Sequence, residues 1–165
     1  MNLQFIGGLL SLALLLAGGW ESAPPNPQPP AYTEETEEES AMPRLTIGIG
    51  DQTFSARLYD SDTTRALLER LPLTLSMEEL HGNEKYCYLD EPLPTHAALP
   101  DGIRAGELML YGSDCLVLFY ESFPTSYRYT PLGRMENPEG LAEALGGGSV
   151  TVRFAVESIS PESGD

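Results

Sequence analysis

Between residues 45 and 58 the chain alternates apolar and polar or small positions twice, with a turn signal in between. Leu45, Ile47 and Ile49 alternate with Thr46, Gly48 and Gly50; Phe54, Ala56 and Leu58 alternate with Thr53, Ser55 and Arg57. A period of two sends successive side chains to opposite faces, so each run is a strand with one buried face. Gly50-Asp51-Gln52 supplies the turn, because glycine enters the left-handed region without a steric cost. The pair is a hairpin, and the rest of the chain has to pack against its apolar face.

A short helix follows. Asp60, Ser61 and Asp62 can each cap it by accepting from an unpaired N–H of the first turn. Thr64, Leu67, Leu68 and Leu71 fall at i, i+3, i+4 and i+7, one apolar stripe, with Arg65, Glu69 and Arg70 facing outward. Pro72 disfavours helical backbone at the residue before it and ends the helix. Such a helix is too short to hold in water alone, so a sheet must hold it.

Leu73, Leu75 and Met77 resume alternation. Residues 77–83 carry Glu78, Glu79 and His81 without a ligand partner at metal-site spacing, and read as a solvated loop. Residues 85–89 read as a strand. Residues 90–102, with Pro92, Pro94 and Pro100, read as a loop that also holds His96. Residues 108–111 and the continuous apolar run 115–120 are strands around a Gly112-Ser113-Asp114 turn. Residues 121–126 are irregular and 127–130 short and extended. Asn137-Pro138 opens a second short helix, and Gly146 ends it. In residues 150–157, Val150, Val152, Phe154 and Val156 alternate strictly with Thr151, Arg153, Ala155 and Glu157. The expected class is mainly β: a closed barrel of about eight strands with two short helices.

The flanking segments differ in kind. Residues 1–19 contain the apolar run FIGGLLSLALLLA, of signal-peptide length, read as a signal peptide or N-terminal anchor. Leu16-Ala17-Gly18 is similar to a bacterial lipoprotein signal, but Gly19 stands where the lipid-accepting Cys would be. Residues 20–43 form a Pro- and Glu-rich linker, with PPNPQPP and then EETEEES. Residues 44–160 are the domain and 161–165 a polar tail. The expected location is outside the cytoplasm, periplasmic or at the cell surface, with membrane contact only through the N-terminal segment. A net charge of −16 with no basic stripe argues against nucleic acid as a partner.

Four stretches together carry a family resemblance. They are Leu58-Tyr59-Asp60 with Leu71-Pro72-Leu73; Glu84-Lys85-Tyr86; Gly106-Glu107-Leu108-Met109-Leu110-Tyr111; and Tyr129-Thr130-Pro131-Leu132-Gly133-Arg134. In order and spacing the chain resembles the bacterial cyclophilin-like family, whose members share the cyclophilin barrel without being typical prolyl isomerases. A cyclophilin lowers an amide rotation barrier of about 20 kcal/mol with an arginine donor, aided by glutamine, aromatic residues and a histidine. By the resemblance, Tyr129 stands at the histidine's position. Leu116-Val117-Leu118-Phe119 has no glutamine, and residues 86–90 no arginine. The resemblance thus implies a barrel without most of the isomerase grip.

No catalytic constellation, cofactor loop or metal set is legible. GGGS at 146–149 follows a helix instead of opening one. The ligand-binding candidates are Tyr111, Phe119, Tyr120, Tyr129 and Arg134, on a barrel rim that would take a peptide or small molecule, with core packing as the plainer reading of the same aromatics. The alternative function is a weak or altered prolyl isomerase using Arg134 or Arg128. Glu84-Lys85 reads as a strand-entry ion pair of little weight. Cys87 and Cys115 can pair in an oxidising compartment, or both stay buried thiols.

Overall fold

The computed structural model describes residues 42–158; the expected leader, most of the linker and the tail lie outside them. Eight strands and two helices follow in the order β1 (Arg44–Ile49), β2 (Gln52–Leu58), α1 (Asp62–Leu68), β3 (Leu73–Leu80), β4 (Glu84–Tyr88), β5 (Glu107–Tyr111), β6 (Cys115–Phe119), β7 (Thr130–Met135), α2 (Leu141–Leu145) and β8 (Val150–Val156). The strands close into one barrel in the order β1-β2-β7-β5-β6-β4-β3-β8, and β8 returns to β1. Every pairing is antiparallel. The mainly β, closed-barrel expectation holds.

Alternation decides what fills the cylinder. Leu45 and Ile47 of β1, Ala56 of β2, Met77 of β3 and Val152 of β8 are wholly buried and join one inner cluster. Leu67 of α1 and Leu141 and Leu145 of α2 add to that cluster. α1 starts at Ser61, whose hydroxyl accepts from Thr64 N at 3.1 Å. Thr63 donates to Pro94 O at 2.7 Å, which ties the helix to the long loop after β4. Arg70 clamps the same loop, donating to Glu91 O and Pro92 O at 2.7 and 2.8 Å.

β6 is buried at all five positions, and two clusters explain it. Leu116 and Leu118 point into the barrel. Cys115, Val117 and Phe119 point outward, into a second cluster with Ile103, Met109 and Tyr129. The segment after β6 covers this outer face, with Phe123 packed on the cluster and bridged through its backbone to Ile103.

Four local readings are corrected. The chain stays in strand through Leu80, and only residues 81–83 turn, so Glu78 and Glu79 are sheet residues instead of a solvated loop. The strand expected at 127–130 is β7, Thr130–Met135, with Pro131 tolerated at a register shift against β5. Asn137 does not cap α2: its Oδ1 accepts from Glu139 N at 3.0 Å in a local turn, and α2 begins after Gly140 in the left-handed region. Lys85 does not pair with Glu84. The two side chains leave the strand on opposite faces.

Candidate functional site

The period of two along β4 divides its side chains. Lys85 and Cys87 face inward, while Glu84, Tyr86 and Tyr88 face outward. Each outward residue has a defined cross-strand neighbour: Glu84 lies between Leu80 of β3 and Phe119 of β6, Tyr86 between Glu78 and Val117, and Tyr88 beside Cys115. This outer wall is the floor of a cavity of about 460 Å³. The segment Phe123-Pro124-Thr125-Ser126-Tyr127 and Tyr129 wall it on one side, and Leu80, His81 and Asn83 border it at the β3–β4 turn. Tyr111, at the end of β5, completes the lining.

Aromatic rings dominate this wall. Tyr86 and Tyr88 meet edge to face, with centroids 6.1 Å apart and planes at 85°. Tyr111 and Tyr127 do the same at 6.1 Å and 89°. Tyr129 leans on Tyr111 at 5.6 Å and meets Phe119 edge-on at 5.4 Å. Tyr88, Tyr111 and Tyr127 are 67%, 45% and 61% exposed, although a soluble domain normally keeps clustered aromatics covered.

Electrostatics sharpen the picture. Burial between Leu80 and Phe119 pushes the Glu84 carboxyl above its ordinary range; His81 opposes this and Glu79 adds to it. Burial, and then the Glu84 charge, push the Tyr129 phenol up to about 12. Tyr129 is therefore a neutral hydroxyl at any physiological pH.

On the inner face, the same two strands build a separate network. Lys85 is completely buried. Its Nζ donates to Glu79 Oε2, to Gly146 O at 2.8 Å and to Gly148 O at 2.6 Å, which uses all three protons. Tyr120 OH donates to the same carboxylate at 2.8 and 2.9 Å, and Gly82 N at 2.7 Å. Burial pushes Glu79 up, but hydrogen bonds from Lys85, Tyr120 and Gly82 outweigh it and leave the carboxyl below its usual range. Burial and the bond to Glu79 raise Tyr120 to about 12.

The structure therefore separates the five sequence candidates. Tyr111 and Tyr129 line the cavity. Phe119 is fully buried behind it, between Phe123 and Tyr129. Tyr120 lies in the Lys85 network. Arg134 is an exposed residue of β7, opposite Arg57 and Glu107, and does not line the cavity. Arg128 reaches Ala97 O at 3.4 Å. The cavity also opens on the outer side of the wall and not on the barrel rim. Glu84, Tyr86 and Tyr88 were missed as a site, although their alternation with Lys85 and Cys87 was there to read.

Cys87 and Cys115 are both free thiols. Cys87 pairs in register with Leu116 and Cys115 with Tyr88, so the two sulfurs leave opposite faces of the wall. Burial raises both thiols to about 11, far from a reactive thiolate. Among the described residues, no group of three or more His, Cys, Asp or Glu side chains is placed to hold a metal ion.

A family model described as the cyclophilin-like family matches residues 47–155. The chain belongs to the cyclophilin-like family. The matched span runs from β1 into β8, so it takes in both the closed barrel and the outer wall. The solution structure of a hypothetical protein from Archaeoglobus fulgidus is similar to this cyclophilin-like chain, with 20% identity and a TM-score of 0.48 over 71% of this chain and 96% of that one. No curated protein matches the chain.

Proposed function

We propose that this cyclophilin-like domain is a binding module for a peptide or small ligand, seated in the tyrosine-lined cavity on the outer face of β4 and β6. One observation carries the reading: a concave site of about 460 Å³ walled by partly exposed aromatic rings. Its size is that of a small-molecule or short side-chain pocket. Tyrosines suit such a site because each supplies rigid apolar area and a polar tip.

Isomerase chemistry has less support as the main activity. Twisting a peptide bond calls for a donor fixed against the amide, and the cavity lining includes no arginine. Export remains part of the proposal and rests on the apolar run within residues 1–19.

The test is a chemical-shift titration of the full-length protein with short proline-containing peptides and a fragment set. Shifts centred on Tyr86, Tyr88, Tyr111 and Tyr127, abolished in the Tyr111→Ser/Tyr127→Ser double variant, support the reading. Binding unaffected by that double variant, or confined to another face, overturns it. A protease-coupled isomerase assay checks the alternative: rate enhancement lost in Arg134→Ala or Arg128→Ala would favour catalysis over plain binding. Cell fractionation with N-terminal sequencing checks export: a mature chain beginning after Gly19 supports it, and an intact cytoplasmic chain overturns it.

A further inference from the structure

The cavity has aromatic walls, but its floor is a carboxyl group. Glu84 is only 9% exposed and lies between two apolar neighbours, Leu80 and Phe119. No hydrogen bond to its carboxylate forms among the described residues; burial and the charges of His81 and Glu79 alone act on it. Lys85, next in sequence, is committed to the inner face and cannot reach it. Beside it, Asn83 also lines the cavity, and its Oδ1 is buried without a partner. Buried acceptors without donors are uncommon in native proteins, because each forfeits its solvation. Among the described residues Asn83 Oδ1 is the one such atom, and beside it the Glu84 carboxylate faces the cavity without a cationic partner, so this end of the cavity lacks positive charge.

The walls carry hydroxyl groups but little positive charge. The lining holds no Lys or Arg, and His81 is its single basic side chain. What the walls offer is ring surface: the perpendicular pairs Tyr86–Tyr88 and Tyr111–Tyr127, and Tyr129 between Tyr111 and Phe119. Aromatic faces carry negative quadrupole charge and attract cations, Tyr more strongly when water is excluded. The net charge of −16 adds a long-range field of the same sign.

We propose that the cavity recognises an organic ammonium group, its N–H donors meeting the Glu84 carboxylate and its carbon skeleton packing against the tyrosines. This deepens the ligand-binding reading and rests on it. The ligand class is a compact protonated amine. A quaternary ammonium fits less well, because it brings charge without the N–H donors that a carboxylate accepts.

The experiment compares benzylammonium with its neutral isostere benzyl alcohol and with benzyltrimethylammonium, by chemical-shift titration of the full-length protein near neutral pH. Benzylammonium is expected to bind at least about tenfold more tightly than benzyl alcohol, equivalent to about 1.4 kcal/mol, and more tightly than the quaternary analogue. Glu84→Gln should erase the preference for the cation, so that benzylammonium and benzyl alcohol bind within about twofold of each other. Equal binding of benzylammonium and benzyl alcohol, or a preference that survives Glu84→Gln, overturns the ammonium assignment and leaves the binding cavity standing. A quaternary analogue that binds best overturns the N–H requirement. Absence of binding by all three overturns the assignment and counts against the cavity itself.

Discussion

Replacing Lys85 with methionine isolates the inner network, because methionine keeps most of the stem's volume and removes only the charge and its protons. Three donations would be lost: to Glu79, Gly146 O and Gly148 O. Each hydrogen bond to a charged group is worth about 1.5–3 kcal/mol, so simple addition would exceed 4. Addition overstates the loss for two reasons. Glu79 is 22% exposed and keeps its bonds from Tyr120 and Gly82, so it is not stranded in an apolar interior. The methionine also recovers some apolar burial. Removing one partner of a buried pair costs about 3–5 kcal/mol, and the partial exposure places this case at about 3. In a domain of this size that is a drop in Tm of about 15 °C. The assay is urea unfolding followed by circular dichroism, run as a double-mutant cycle with Glu79→Gln. A loss below about 1 kcal/mol would refute the assignment, as would a cycle with no coupling. Either result would mean that Lys85 is held by packing alone and that its carbonyl contacts are incidental.

Glu84→Gln should leave stability unchanged in acid and raise it at neutral pH. The native state holds the Glu84 proton more tightly than the unfolded chain does, so wild-type stability from this group is full below the ordinary value of 4.5 and is lost as pH climbs through the raised value. Its charge is felt by His81, Cys115 and Tyr129 and, across the wall, by Glu79 and Tyr120, and a pH series of thermal melts showing no divergence between variant and wild type would count against that burial. Gly133→Ala should destabilise by about 2 kcal/mol, since a Cβ there would sit 2.5 Å from Arg57 O across the β2–β7 seam. Gly147→Ala, with open space around it, is the control for the same melt and should be neutral within about 0.5 kcal/mol. Cys87 and Cys115 should resist iodoacetamide in the folded protein at mildly alkaline pH and both react in urea, because burial holds each near 11; a disulfide between them in mass spectra would contradict the wall geometry.

Much of the barrel was legible in the sequence because strand alternation is a local property. Leu45, Ile47 and Ile49 declare their buried face without reference to any partner, and so do Val152 and Phe154. The Ser61 cap and the Gly146 stop are equally local. Glu79 was not legible: it looked like part of a loop, because nothing nearby in sequence shows Lys85 and Tyr120 converging on it. Arg134 and Tyr120 looked like site residues because they sit in suggestive stretches, but closure of the barrel turned one to an exposed outer face and the other to the inner network. The candidate cavity was half visible. Its aromatics at 111 and 129 stood out, while Glu84 passed for half of an ion pair.

The sequence by itself determined which residues alternate, that a short helix follows Ser61 and another stops at Gly146, and that the chain carries excess negative charge. Those properties depend on backbone sterics and on side chains within a few positions of one another. The closing of eight strands into a cylinder, which set Glu84 and Lys85 on opposite sides of one wall, was decided only in three dimensions. Strand order and register are fixed by pairings between residues far apart in sequence. In this protein those pairings place a buried lysine among its acceptors on the inner face and an unpartnered carboxyl beneath tyrosines on the outer face.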